Sequence, residues 1–326
     1  MHKQSVKAII TGVSGQDGYF MTELLLSKGY EVLGLSSNLH QAESHFVDNR
    51  FEHLRLAEFN YKLTGEFARI LEEFQPNLIF NFAAKSTGQG MFDAPYEISR
   101  LNGGFVIDIL ESLRQYRRRE DVVFCQASSS EMYGNVTETP QSEETCFRPR
   151  SPYGAAKLYA HNMLSIYRSI YGVRCCSAIL YNHESTRRST QFVTKKIAQA
   201  AAFIKLGQAN FVTLGSLDSK RDWGYAPEYV DAMFQMATAN IVEDFVVATG
   251  HLSSVRDLCE TAFGHLGLNY LDFVQTHPVE YRVAESFNLQ GNPKKIQEKL
   301  GWYAKKSVKE IMTELVDYEM NRQSAI

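Results

Sequence analysis

Residues 6–20 read Val-Lys-Ala-Ile-Ile-Thr-Gly-Val-Ser-Gly-Gln-Asp-Gly-Tyr-Phe, an apolar run that breaks at three regularly spaced glycines and resumes as an amphipathic stretch. The pattern predicts a buried strand over Val6 to Thr11, a turn over Gly12 to Gly18, and a helix from Tyr19 to Lys28 closed by Gly29. Strand, glycine turn and helix in that order form a cradle for the pyrophosphate of a dinucleotide. Gly12 permits the turn, Gly15 lets the anion approach backbone N–H groups, and Gly18 allows close helix packing, while the helix N-terminus faces the charge. Gln16 and Asp17 belong to the same candidate cofactor-binding turn. The spacing G-x-x-G-x-x-G differs from the G-x-G-x-x-G of simpler dinucleotide folds, and an ordinary turn before a helix is the competing reading.

Outward from this unit, strand and helix patterns alternate. Glu31 to Ser36, Asn77 to Ala84, Asp121 to Ala127 and Arg174 to Tyr181 are apolar strand candidates. Helical stretches stand near Leu63 to Phe74, Leu101 to Tyr116, Tyr153 to Tyr171 and Thr194 to Leu206. The expected fold class is α/β, a doubly wound, mostly parallel, Rossmann-like sheet with a smaller α/β C-terminal substrate lid. Ser254 to Leu266 and Ser307 to Asn321 are the lid's helices. The division expected is a dinucleotide-binding domain over 1–182 plus about 222–250, and a second domain over about 183–221 plus 251–326, which the resemblance described below makes the nucleotide-sugar-binding one. Chemistry then sits at the carboxyl ends of the strands, where Ala83 and Ala84, Ser128 to Glu131, and Tyr181 to His183 emerge.

Composition restricts the function classes. A chain of 326 residues with a formal net charge of -3 has no global attraction for nucleic acid. Its longest apolar runs are strand-sized and Met1 to Val6 is polar, so neither a membrane span nor a signal peptide is expected, and the cytoplasm is the expected location. Five cysteines without C-x-x-C spacing point to reduced, mainly packing thiols and to no metal site. Arg117 to Arg119 reads as a solvated helix end.

The second informative stretch is Ser128-Ser129-Ser130-Glu131, followed by Tyr153 and Lys157. Tyr and Lys four residues apart share a helix face, where an ammonium favours the phenolate and lets Tyr exchange a proton with a substrate hydroxyl. Glu131 adds a second acid/base that simple alcohol oxidation does not require, and dehydration becomes the leading idea.

These blocks carry a resemblance. The chain resembles the extended short-chain dehydrogenases/reductases, and among them is most similar to the GDP-mannose 4,6-dehydratase family along nearly its whole length. The shared blocks are ITGVSGQDGYF from Ile10, QASSSEMYG from Gln126, RSPYGAAKLYAH from Arg150, NHEST-RR from Asn182, FVTKKI from Phe192, RDWG from Arg221, VATG from Val247 and GNP from Gly291. The resemblance implies catalytic roles for Ser129, Glu131, Tyr153 and Lys157. Tyr153 would take the C4 hydroxyl proton during oxidation, with Ser129 or Ser128 on the C4 oxygen. Glu131 would remove the C5 proton and protonate the departing C6 hydroxyl, after which hydride returns to C6. It implies NADP or NAD as cofactor, held by Gly12, Gly15, Gln16, Asp17, Gly18, Ser37, Asn38, Glu58, Phe59, Ala83, Ala84, Tyr153, Lys157 and His183. It implies a GDP-sugar substrate contacting Lys85, Ser86, Ser128, Asn182, Lys196, Arg221, Arg282 and Glu285, with Lys195 as the alternative inward lysine. A homodimer or homotetramer is also implied.

Two departures from the family pattern bear on specificity. Ser37 and Asn38 stand where the family commonly has an arginine pair for the NADP 2′-phosphate, and no Asp or Glu replaces them to select NAD, so the cofactor stays open between the two. Lys85 to Gly90 replaces a family segment of apolar and small residues at the sugar pocket, which leaves the choice among GDP-mannose, another GDP-hexose and a GDP-heptose open. A nucleotide-sugar epimerase or C4 dehydrogenase/reductase would not need Glu131. A non-catalytic NAD(P)-sensing protein would keep the glycines without the full Ser/Glu/Tyr/Lys set.

Overall fold

The protein is described by a computed structural model over residues 6–86, 92, 94–239, 241–276 and 288–324. Its strands are β1 (Lys7–Thr11), β2 (Glu31–Ser36), β3 (Leu54–Glu58), β4 (Leu78–Asn81), β5 (Val123–Ser129), β6 (Cys175–Leu180), β7 (Asn182–Glu184), β8 (Val212–Leu214), β9 (Lys220–Arg221), β10 (Trp223–Tyr225), β11 (Phe245–Val247), β12 (Ser253–Ser254) and β13 (Val274–Thr276). The α-helices are α1 (Gln16–Ser27), α2 (Leu39–His45), α3 (Glu66–Phe74), α4 (Pro95–Ser99), α5 (Phe105–Gln115), α6 (Pro152–Tyr171), α7 (Val193–Lys205), α8 (Ala226–Thr238), α9 (Val255–His265), α10 (Lys294–Leu300) and α11 (Val308–Ser324).

Seven strands form one parallel sheet in the order β11-β6-β5-β4-β1-β2-β3. The order reverses beside β1, so a crevice opens at the carboxyl ends of β1 and β4. Met21 and Leu25 of α1 and Met233 and Met236 of α8 cover one face, and Phe67, Ile109 and Leu164 of α3, α5 and α6 cover the other. Burial on both faces explains the nearly continuous apolar strands. Ile197, Leu214, Leu258, Phe263, Met312 and Leu315 make a separate apolar cluster built on α7, β8, α9 and α11.

The sequence patterns fall on these elements with informative shifts. Helix α1 starts at Gln16, three residues before the expected Tyr19, because Gly15 adopts an extended N-cap conformation and frees the first turn to begin at once. Two sheet strands lie outside the expected set. β3 exposes Arg55 and Glu58 at the sheet edge, and β11 is only three residues long. Neither carries the long apolar run that marks an interior strand. Helix α6 begins on Ser151, whose hydroxyl accepts from Gly154 N at 3.1 Å, with Pro152 in the first turn and Gly172 at φ +66° ending it.

One ion pair lies inside the second apolar cluster. Lys195 of α7 meets Glu319 of α11 at 2.5 Å, with side chains 3% and 0% exposed, and the ammonium also donates to the Thr186 carbonyl at 2.8 Å. Removing one partner strands a buried charge. Lys195→Met is expected to lower unfolding free energy by about 3–5 kcal/mol in denaturant titrations, and adding Glu319→Leu should restore most of it.

Candidate active site

The glycine turn is held by close packing. A Cβ at Gly12 would stand 2.7 Å from the Ala83 nitrogen, and one at Gly18 would stand 2.4 Å from the Gly12 oxygen. Gly12 takes φ +67°, and its N–H is shared between the Leu35 carbonyl at 3.1 Å and the Tyr61 hydroxyl at 3.2 Å. The turn therefore lies flat against β2 and the end of β4, with the N-terminus of α1 open above it. That backbone surface, kept close and bare because Gly12 and Gly18 carry no Cβ to push the strand and helix apart, fits a dinucleotide pyrophosphate.

A strap over residues 182–188 closes one side. His183 Nε2 lies 3.0 Å from Asp17 Oδ2, Gln16 Nε2 donates to the His183 carbonyl at 3.1 Å, and Ser185 Oγ donates to Gln16 Oε1 at 2.8 Å. Burial disfavours charge on both partners, yet Asp17 holds the His183 pKa above its ordinary value and His183, with help from Arg188, holds Asp17 below its own. The imidazole also stacks on Tyr229 at 4.9 Å between ring centres.

The chemistry-bearing side chains converge at the end of β5. Ser129 Oγ accepts from Glu131 N at 3.2 Å and hydrogen-bonds Tyr153, while the Glu131 carboxylate faces Arg150 at 4.0 Å. Ser128 points elsewhere, bonded to Ser177 Oγ at 2.7 Å. Lys157 Nζ donates to the Ala127 carbonyl at 2.8 Å and lies 5.8 Å from the Tyr153 ring centre. Burial dominates the charge balance. It pushes Tyr153 up to about 12, with Ser129 and Arg188 pulling down and Glu131 and Asp17 pushing further up, and it depresses Lys157 to about 8. The expectation that the ammonium would favour a phenolate is thus outweighed in the free protein, where Tyr153 is a phenol at neutral pH.

The remaining candidates are placed as follows. Ala83 is buried beside Gly12, and Ala84 is half-buried next to it. Ser37 and Asn38 are exposed past β2, where the Asn38 side chain caps α2 by accepting from Gln41 N at 3.0 Å. Glu58 is exposed, and the Phe59 ring is buried against Tyr61 and Phe105. Lys85 turns outward to Glu97 at 2.6 Å, and Ser86 is exposed. Asn182 is half-buried at the start of the strap, and Arg221 Nη1 donates to the Lys220 carbonyl at 2.7 Å. Lys196 is exposed and donates to the Thr213 carbonyl at 2.8 Å, and the inward neighbour is Lys195. Arg282, Glu285 and the segment Thr87 to Gly90 lie outside the described residues.

Three residues near the site were not singled out from the sequence. Arg188 pairs with Glu184 at 3.1 Å and acts electrostatically on Asp17, His183 and Tyr153, and it closes the NHEST-RR block. Buried Asp222 of the RDWG block accepts from the N–H groups of Thr249, Gly250 and Gly291, binding together the RDWG, VATG and GNP segments. Tyr61, which pins Gly12, lies in a loop with no sequence signal.

A parallel dinucleotide fold with Ser, Glu, Tyr and Lys gathered at the end of its fifth strand defines an extended short-chain dehydrogenase/reductase. Solved structures share this fold at low identity. The dTDP-glucose 4,6-dehydratase of Bacillus anthracis matches with a TM-score of 0.83 at 17% identity over 98% of both chains. The UDP-glucose 4-epimerase of Thermus thermophilus matches with a TM-score of 0.84 at 23% identity over 98% of this chain and 100% of that one. The family model for GDP-mannose 4,6 dehydratase spans residues 9–315. The GDP-mannose 4,6 dehydratase of Homo sapiens is 38% identical, covering 99% of this chain and 94% of its own, and that of Vibrio cholerae is 36% identical over 95% and 92%. The chain belongs to the GDP-mannose 4,6-dehydratase family.

The Asp17–His183 pair makes stability depend on pH. The raised His183 contributes stability below the ordinary imidazole range and loses it as pH rises through its raised pKa. The lowered Asp17 contributes above the ordinary carboxylate range and loses it as pH falls through its lowered pKa. The stability difference between the native chain and His183→Gln should therefore peak between roughly pH 4 and 6.5, at about 1.5–3 kcal/mol, and shrink on both sides in denaturant melts.

Proposed function

We propose that the protein converts a GDP-hexose, GDP-mannose or a relative such as a GDP-heptose, into the 4-keto-6-deoxy sugar with loss of water. Family membership makes it a nucleotide-sugar 4,6-dehydratase with NADP or NAD as cofactor. The observation that carries the residue-level reading is the convergence of Ser129, Glu131 and Tyr153, since the carboxylate has no task in C4 oxidation alone.

The dinucleotide would lie along Gly12, Gly15 and Gly18 with Gln16, Asp17 and His183 around its pyrophosphate, and it supplies the hydride acceptor and donor. Tyr153 takes the proton of the C4 hydroxyl, and Ser129 holds that oxygen. Lys157 stabilises charge beside Tyr153. The ketone at C4 acidifies C5, whose proton Glu131 removes and passes to the C6 hydroxyl, releasing water. With the hydride restored to C6, the proton that Tyr153 took from the C4 hydroxyl would go to C5 and complete the 4-keto-6-deoxy product. Arg221 and Lys196 are assigned to the diphosphate and Asn182 to the nucleotide-sugar side, whereas Ser128, turned to Ser177, is left to the sheet. The same reading divides the chain into a dinucleotide domain over 1–182 plus about 222–250 and a sugar-nucleotide domain over the rest, in line with the separate apolar cluster on α7, α9 and α11.

Among the described residues no helix is long and apolar enough to cross a membrane. A cytoplasmic homodimer or homotetramer is the assembly we favour. Its support is the exposed apolar stripe of Tyr159, Ile166 and Ile170 on α6.

Incubation with a panel of GDP-sugars and mass spectrometry of the products tests the reaction. Loss of 18 mass units, one water as an order-of-magnitude marker of elimination, is expected, whereas turnover without that loss means epimerase or C4 dehydrogenase chemistry. Tyr153→Phe should bind dinucleotide but lose about two to four orders of magnitude in turnover. Glu131→Gln should still reduce bound dinucleotide in the presence of substrate, seen as absorbance, yet release no water and exchange no C5 hydrogen with solvent.

A further inference from the structure

A single file of hydrogen bonds crosses the sheet beneath the active site. Ala83 N donates to Thr11 Oγ1 at 3.3 Å, the Thr11 hydroxyl donates to Asn81 Oδ1, Asn81 Nδ2 donates to Gln126 Oε1 at 2.6 Å, and Gln126 Nε2 donates to the Ala127 carbonyl at 2.7 Å. Lys157 Nζ donates to that same carbonyl. Thr11, Asn81 and Gln126 have no solvent exposure.

The polarity of this file is forced. A carbonyl only accepts, so Gln126 must turn its NH₂ to Ala127 and its oxygen to Asn81. Asn81 must then donate to Gln126 and accept from Thr11. All the bonds run one way, from the backbone beside Gly12 to the acceptor of Lys157, and such chains polarise one another. The proton transfers assigned above use none of Thr11, Asn81 or Gln126. Three apolar side chains would fill the sheet interior without the cost of desolvating two amides and a hydroxyl.

We propose that the Thr11–Asn81–Gln126 ladder is a positioning device for Lys157, holding its ammonium beside Tyr153 while loading the acceptor it shares, and so setting the alkaline limit of the C4 oxidation step. A carbonyl already engaged by Gln126 binds the ammonium less firmly than one that Lys157 has to itself. Burial works in the same direction, and Asp17 of α1 opposes it. The other charged or titratable groups near this pair are Tyr153 on α6 itself, Glu131 ahead of α6, Arg188 and His183 from the strap, and His161 one turn beyond Lys157, hydrogen-bonded to Ser177. The proposal rests on the reading of Lys157 as the partner of Tyr153.

The test is the pH dependence, from about pH 6 to 10, of the first reduction of bound dinucleotide by GDP-mannose. It is measured in the native chain, Gln126→Met, Gln126→Glu, Thr11→Val and Lys157→Met, each checked for folding by thermal melt and for dinucleotide binding by titration. Gln126→Met leaves the carbonyl to Lys157 alone and should move the alkaline limb up by about half a unit, roughly threefold in proton affinity. Gln126→Glu, which adds a carboxylate near the ammonium, should move it further, and Thr11→Val, at the far end, less. A uniform fall in rate at every pH, with the alkaline limb unmoved, would overturn the proposal. Should Gln126→Met fail to fold, the limb in Thr11→Val decides by the same criterion. Lys157→Met with the native rate would instead remove the reading beneath the proposal, a result distinct from an unmoved limb.

Discussion

No side chain can stand at Gly12 or Gly18, and much of the molecule follows from that. With β1, β2 and β4 side by side, the turn after β1 has to pass within van der Waals contact of the backbone at Ala83, and α1 has to fold straight back over the turn. Only hydrogen atoms at those two positions let both happen. The result is a helix N-terminus with free N–H groups facing the crevice where the strand order reverses. An alanine at either place would separate helix from sheet and close the cradle from inside.

The reactive cluster is set by the opposite pressure, the expense of burying charge. Tyr153 and Lys157 are both shielded from water, and shielding raises the first and lowers the second. The two are driven apart in proton affinity, so the free protein holds its proton on the phenol while the neighbouring ammonium is the more easily discharged. Glu131 keeps partial exposure and faces Arg150 at 4.0 Å, surroundings unlike those of the buried phenol. Two acid/base groups with different surroundings are what an oxidation followed by an elimination requires.

The strap from Asn182 to Arg188 couples the two halves of the chain by alternation. His183 and Ser185 reach the α1 side through Asp17 and Gln16, whereas Glu184 takes the Thr194 hydroxyl at 2.5 Å and the Thr186 carbonyl takes the Lys195 ammonium. Over the extended residues 182–184 successive side chains go to opposite faces, and the turn that follows offers the Thr186 carbonyl to Lys195, so a few residues make both sets of contacts. The buried Lys195–Glu319 pair carries this connection on to α11, which is why a charge is tolerated in an otherwise apolar cluster.

The glycine turn, the order of strands and helices, and the Ser/Glu and Tyr/Lys stretches were readable from residues alone, because each depends on local spacing: a glycine every third residue, or a Tyr and Lys one helical turn apart. Between Lys195 and Lys196 the helix phase left a choice, and the structure sends Lys195 to Glu319 within the apolar cluster and leaves Lys196 exposed. Folding decided what spacing cannot express. It placed the short edge strands β3 and β11, turned Lys85 out to Glu97 instead of into the crevice, spent the Asn38 side chain on capping α2, and left Tyr153 a phenol by burying it. It also brought Thr11, Asn81 and Gln126, separated by 70 and 45 residues, into one file ending at Lys157. Burial and long-range hydrogen bonding depend on what the rest of the chain places nearby, and only the closed sheet supplies those neighbours.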